Sequence, residues 1–334
     1  MSPSRDNHRC TRMHTDKTAE SPSGDVFDGA AQGLVKRTNF ASLPFPLMNI
    51  PRRDFLKTSL AASAATAVSA THLHAAAPAS GPAATAGREY YELRCYGLAP
   101  VKRLKAGAAQ APLDAYLEKA FLPALAKRGI ADVGVFTELE IDRAAATSKP
   151  KPESPVWVLI PHATLESFVS VSADLNRDAD VQKAGAAYLQ TPKTTPPYER
   201  VDTWLHRAFK TWPKLDVPAF SRNRTPTRVF EMRTYESYSE AKALAKIDMF
   251  DAVETELMKD LGMSPVFFGQ AIAGKDLPHL TYITSGPSLA AHLDAWKKFG
   301  PDPRWVKVKD LPEYADTVSS NVPRFLAPTA YSQI

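Results

Sequence analysis

The chain has 334 residues, 44% hydrophobic and 23% charged, with a formal charge of +5. These proportions are ordinary for soluble globular sequence and long enough for two domains of common size. Residues 1–77 hold nine of the Lys and Arg and six of the Asp and Glu, so the remaining 32 and 30 leave only +2; with no basic stripe interleaved with aromatics, nucleic acid is not an expected partner.

Residues 1–47 read as polar low-complexity sequence, and Met48 stands where a signal peptide would begin, which leaves translation from Met1 or from Met48 open. Residues 48–77 have the pattern of a twin-arginine signal. Arg52 and Arg53 precede Phe55-Leu56-Lys57, a mild Ala-rich apolar stretch runs from Leu60 to Val68, and Ala75-Ala76-Ala77 offers a cleavage site. The apolar stretch is too short and too weak to span a bilayer, and no run of about 20 apolar residues follows it, so no integral membrane domain is expected. The expected partner is the twin-arginine translocation machinery, and the expected destination is the periplasm or cell envelope. Cys10 falls in the leader, so the mature chain keeps Cys95 alone and forms no internal disulfide. Neither CxxC nor HExxH occurs, so no metal site is expected, and no other cofactor can be read from the sequence.

After a linker at 78–87, the chain repeats itself. Tyr91 to Tyr96 matches Phe230 to Tyr235 at an offset of 139, and Val135-Phe136 matches Val266-Phe267 at 131. Leu165 matches Leu289 at 124, and Arg207 matches Arg324 at 117. Ordered matches with a falling offset indicate two related units, the first with longer loops. They are placed at 88–210 and 227–334, joined by a Pro-containing linker at 211–226.

Each unit reads β-α-β-β-α-β. In the second, Val229 to Tyr235 is a strand by its β-branched and aromatic content. Ser237 to Glu240 fits a capping box, and a helix follows with Leu244, Ile247, Phe250, Val253, Leu257 and Leu261 on one stripe, stopped by Gly262. Pro265 to Ile272 and Leu280 to Ile283 are the next strands. Pro287-Ser288 opens a helix through Phe299, Asp302-Pro303 starts a short further turn, and Val318 to Leu326 closes the sheet. In the first unit the Pro112 to Lys127 helix is expected to break or kink at Pro123. The predicted fold is α+β: two tandem ferredoxin-like units packed sheet to sheet as a fused, pseudo-dimeric α+β barrel.

Residues i, i+2 and i+4 of a strand share a face. The first strands therefore put Glu92, Arg94 and Tyr96, and Glu231, Arg233 and Tyr235, on one face. The expectation places these triples inside the barrel. There they form a structural Glu–Arg lattice or a ligand pocket, with Arg for a carboxylate, Glu as base and Tyr as donor. The opposite face, with Tyr91, Leu93 and Cys95, is expected to meet the helices. Of the histidines His162, His206, His279 and His292, His162 and His279 lie at the ends of the third strands and read as hydrogen-bonded surface or edge residues, and Trp296, Phe299 and Trp305 read as helix packing.

Phe230 to Tyr235, Pro265-Val266-Phe267-Phe268-Gly269, Leu280-Thr281-Tyr282, the Trp296 to Trp305 run and the closing Pro328 to Ile334 resemble the NIPSNAP family. The first unit, which lacks the Trp-x-x-Phe-Gly-x-Asp-Pro run, resembles it more weakly. The resemblance implies a fold of the dimeric α+β barrel superfamily, which holds small monooxygenases, isomerases and haem-dependent enzymes beside non-catalytic members. It implies no agreed reaction and no catalytic residues. Two functions stay open: a non-catalytic or small-ligand-binding exported module, taking a small hydrophobic or carboxylate ligand, and a small-molecule enzyme of monooxygenase or isomerase type. A homo-oligomer also stays open.

Overall fold

A computed structural model describes residues 87–98 and 110–334. The twin-arginine signal, the start-codon question and Cys10 lie outside the described residues.

Among the described residues nine strands, numbered along the chain and bounded below, are connected in the order β3-β2-β4-β1-β5-β7-β8-β6-β9, and β9 pairs back onto β2. The first unit contributes β1 (Tyr90–Leu98), β2 (Gly134–Asp142), β3 (Thr147–Pro150), β4 (Val156–His162) and β5 (Tyr198–Ala208). The second contributes β6 (Val229–Glu236), β7 (Phe267–Ala273), β8 (His279–Gly286) and β9 (Ser320–Pro328). All pairings are antiparallel, and eight strands close into a barrel with the short β3 as an appendage to β2. Closure removes free sheet edges. The two units meet along the β5–β7 and β9–β2 seams, so their sheets are continuous as well as face to face.

Pairing register tests the repeat residue by residue. Tyr91 faces Pro161 as Phe230 faces Ser285, which confirms offsets of 139 and 124. Tyr91 faces His206 as Phe230 faces Leu326, so the last strands are related by 120, and Arg207 is not the counterpart of Arg324. Gly134 faces Leu159 as Phe267 faces Ile283, an offset of 133 in place of 131. Glycine and phenylalanine thus exchange places between the copies: Gly134 and Phe136 in one, Phe267 and Gly269 in the other. A Cβ at Gly134 would meet the Phe136 ring at 2.4 Å, and one at Gly269 would meet His206 at 2.7 Å, so each ring needs its glycine.

The barrel interior is one apolar cluster drawn from both units, including Tyr91, Leu93, Cys95, Phe136, Trp157, Phe230, Met232 and Phe267. Each helix layer makes its own cluster on the outer face of its own half-sheet. This reverses the expected facing: the Tyr91, Leu93 and Cys95 face fills the barrel, and the Glu–Arg–Tyr face lies under the helices. The physical reason is volume. A closed eight-stranded barrel has room only for side chains, and bulky apolar ones fill it at protein density without charges to compensate.

Local signals explain most helix ends. Ser288 caps the Leu289–Phe299 helix, and Asp302 caps the Pro303–Val308 helix. Gly262 takes φ +79° after the preceding helix. The cap at 237–240 is Ser239, which accepts from Lys242 N; Ser237 instead donates to Thr317 O. Both long first helices contain a π turn, at Leu117–Phe121 and Phe250–Glu254. Proline does not explain it in both, because the position matching Pro123 is Glu256. The extra residue rotates the stripe, so Leu244 is half exposed while Lys246 and Glu254 are buried.

The C-terminal tail of the second unit ties back to the first. Ser332 Oγ accepts from Val135 N, Gln333 N donates to Val133 O, and Tyr331 donates to Asp114. With a shared interior and two shared seams, residues 88–214 and 224–334 expressed apart are each expected to lack a cooperative melt as monomers. Two independently cooperative monomeric halves in calorimetry would contradict the fused barrel.

Candidate functional site

The predicted sextet forms two separate clusters, one under each helix layer. In the first unit Arg94 Nε donates to the buried Glu92, and Arg94 Nη2 donates to Ser172 Oγ at 2.9 Å. His162, fully buried at the end of β4, brings Nε2 within 3.4 Å of Glu92. The Arg94 guanidinium lies over Phe121 at 5.0 Å, and Tyr96 packs edge-on to Tyr198. Burial alone would raise the Glu92 carboxyl, but His162 and Arg94 outweigh it and hold it below its usual range.

In the second unit Glu231 is fully buried. It accepts from Arg233 Nε at 2.9 Å and Arg233 Nη2 at 2.8 Å, from His292 Nε2 at 2.8 Å and from Trp296 Nε1 at 2.6 Å. The Arg233 guanidinium also lies over the Trp296 ring at 3.8 Å, and the Tyr235 hydroxyl meets that of Tyr282 at 3.0 Å. Burial would raise Glu231; the His292 hydrogen bond and the Arg233 charge overcome it and hold the carboxyl low.

Both glutamates thus meet an imidazole, from different places in the repeat. By register His162 corresponds to Gly286, and His292 corresponds to Phe168 on the matching helix. A Cβ at Gly286 would meet the His292 Cβ at 2.8 Å, so the glycine makes room for the helix-borne ring. Two sequence routes to one contact indicate that the buried carboxylate requires the donor. Both histidines are core residues, which for His162 corrects the surface or edge reading. The Glu231 carboxylate is satisfied on both oxygens by the protein's own donors, whereas Glu92 accepts from Arg94 on one oxygen and has only the His162 ring near the other; both arrangements describe a structural lattice on the helix side.

The second cluster continues into an ion pair absent from the first unit. Lys246 Nζ donates to Glu254 at 2.7 Å, and both are almost fully buried among Tyr235, Phe250 and Trp305. Counted from the π turns, the matching positions in the first unit are Leu113 and Phe121. Burial pushes the Glu254 carboxyl up, against the opposing charge of Lys246.

A cavity of about 60 Å³ lies apart from these clusters, at one mouth of the barrel. Its walls are Leu93, Trp157, Trp204 and Val322, which continue the apolar interior. Its rim is polar: Thr234, Thr281, Glu236, Asp276, His279 and Arg324. The indoles stack with centroids 5.9 Å apart. Trp157 Nε1 donates to Glu138 at 3.0 Å and Trp204 Nε1 to Lys275 O at 3.2 Å, which fixes both rings. His279 Nδ1 donates to Asp276 O at 3.0 Å. Burial lowers His279, and it pushes the adjoining, fully buried His206 down to about 3, so the pair stays neutral. None of the predicted sextet lines this cavity. A signal for it lay in β6, where Phe230, Met232, Thr234 and Glu236 turn from apolar to polar along one face. Among the described residues no group of three or more His, Cys, Asp or Glu could hold a metal ion.

Comparison with known proteins adds the following. Residues 230–333 match the NIPSNAP family model, and residues 49–69 match the model of the twin-arginine translocation pathway signal sequence. No curated protein sequence matches the chain. A solved structure from Lactobacillus acidophilus NCFM, provisionally named a monooxygenase, is 9% identical; the match covers 72% of this chain and 94% of that one, with a TM-score of 0.44. A NIPSNAP family protein of unknown function from Agrobacterium tumefaciens is 20% identical over 30% of this chain and 87% of its own, with a TM-score of 0.27. A heme-binding protein from Thermus thermophilus is 13% identical over 72% and 92%, with a TM-score of 0.35. At these identities the likeness carries no functional argument.

Proposed function

We propose that this exported chain, with its NIPSNAP domain in the second unit, is a small-ligand-binding protein of the periplasm whose site is the barrel mouth. The observation that carries the reading is the change of lining along the barrel. The interior is filled by aromatic and aliphatic side chains, and the cavity sits where that filling stops against a polar rim. Apolar walls with a few fixed polar groups are the usual make-up of a small-molecule site. The rings that form the walls are held in place by their own hydrogen bonds, so little ordering is left for a ligand to impose. In the second unit the Glu–Arg–His cluster already fills both oxygens of Glu231 with its own donors.

The reading is tested on protein released from the periplasm by osmotic shock. Its native mass spectrum is expected to show a small-molecule adduct that leaves on mild activation. Adduct loss in a Trp204→Leu variant, with the adduct kept in Ser172→Ala, would locate it at the mouth. Absence of the protein from the shock fluid, or an adduct indifferent to Trp204, would contradict the proposal.

A further inference from the structure

We infer that the barrel mouth takes a small organic cation, an amine or alkylammonium ion of roughly four to six heavy atoms. This rests on the mouth being the ligand site. The size follows from the cavity of about 60 Å³, given that one water needs roughly 10–15 Å³ of such space.

The class follows from donors, acceptors and charge. The rim carries two carboxylates, Glu236 and Asp276, and a single cation, Arg324. That cation is engaged: its Nε lies 3.7 Å from Glu138, and its guanidinium lies over the Trp157 ring at 5.2 Å. Glu138 in turn holds Lys151 and accepts from Trp157 Nε1. The nearby Lys275 ammonium is bound to Asp202. No ion pair to Glu236 is formed among the described residues, and its side chain is half-buried at the cavity. His279 donates through Nδ1 to a carbonyl, which leaves the lone pair of Nε2 as an acceptor. The mouth therefore presents spare acceptors and no spare charged donor.

An anionic ligand would have to detach Arg324 from Glu138 while facing the carboxylate of Glu236. A carboxylate ligand, expected from the Arg-containing triples, is thus the wrong charge for this cavity. A metal ion would need three or more converging donors, which the described residues do not supply. An organic cation satisfies both halves of the lining at once: its charge meets Glu236 and His279, and its alkyl groups meet Leu93, Val322 and the indoles, whose faces themselves attract cations.

Three probes within that size separate the terms: trimethylammonium, neutral tert-butyl alcohol and anionic isobutyrate, each titrated into the mature chain while tryptophan emission is followed. Trimethylammonium is expected to bind at least about tenfold more tightly than the other two. Glu236→Gln, checked for an unchanged melt, should erase that preference, and raised ionic strength should weaken trimethylammonium binding alone. Equal or tighter binding of the alcohol or of isobutyrate would overturn the cation class while leaving the mouth as a ligand site. A trimethylammonium preference that survives Glu236→Gln and high salt would overturn the assigned recognition. No emission change with any probe would overturn the inference and count against the site.

Discussion

Glu231→Ala is expected to cost about 3–5 kcal/mol of folding stability, the usual penalty for breaking a buried pair by removing one partner. The carboxylate is fully buried and accepts from Arg233, His292 and Trp296, so its loss strands three donors under the helix layer. Urea unfolding followed by circular dichroism measures the change. Glu231→Leu combined with Arg233→Met should recover much of the loss, because fewer charged groups remain to be satisfied. A loss below about 1 kcal/mol for Glu231→Ala would mean that water replaces the carboxylate and that this face is wet. The cluster also sets an acid limit. Glu231 has its folded value held below the ordinary 4.5, so its contribution is present above pH 4.5 and is lost as pH falls through the lower folded value. Glu231→Gln should flatten that part of the stability curve.

Lys246→Ala should cost a similar amount, about 3–5 kcal/mol, by leaving Glu254 buried without its partner. Here the molecule supplies its own control, since the first unit fills the corresponding positions with Leu113 and Phe121. Lys246→Leu with Glu254→Leu is therefore expected to return to within about 1 kcal/mol of the parent, or above it. The pH dependence has the opposite sign to that of Glu231. Burial raises the folded value of Glu254, so the folded state holds its proton longer and stability falls as pH rises above 4.5 towards the raised value. A double variant less stable than Lys246→Ala would show that the pair does more than fill space, and would draw attention back to this cluster as a site.

The repeat and the strand pattern were legible because they are written in local sequence. Tyr91 to Tyr96 and Phe230 to Tyr235 alternate with period two, and Ser288, Asp302 and Gly262 mark ends by their own chemistry. Alternation says which residues share a face but not which face turns inward. Glu92, Arg94, Glu231 and Arg233 were expected inside because the apolar row of the same strands was assigned to the helices. Their compensation comes from Ser172, His292 and Trp296 on the second helices, whose reach towards the strand depends on helix placement. The π turns were hidden for a related reason: one inserted residue moves Leu244 out and Lys246 in without any proline or glycine to announce it. Two of the four repeat offsets missed, by two and by three residues; the first did so because the exchange of Gly134 and Phe136 for Phe267 and Gly269 imitates a shifted match. The mouth was half legible in β6, but its walls come from β1, β4, β5 and β9, and only barrel closure brings Leu93, Trp157, Trp204 and Val322 together.

The chain's five tryptophans divide the molecule in a way that allows one decisive measurement. Trp157 and Trp204 wall the mouth, Trp296 and Trp305 flank the helix-side cluster, and Trp212 packs beside Phe268. Fluorine NMR of the 5-fluorotryptophan-labelled mature chain, with each resonance assigned by single Trp→Phe replacement, reports all five at once. On addition of the small-molecule fraction of its own periplasm, the account predicts shifts at Trp157 and Trp204 and none at Trp296 or Trp305. Shifts confined to Trp296 and Trp305 would place the ligand among Glu231, Arg233 and Lys246 and contradict the account.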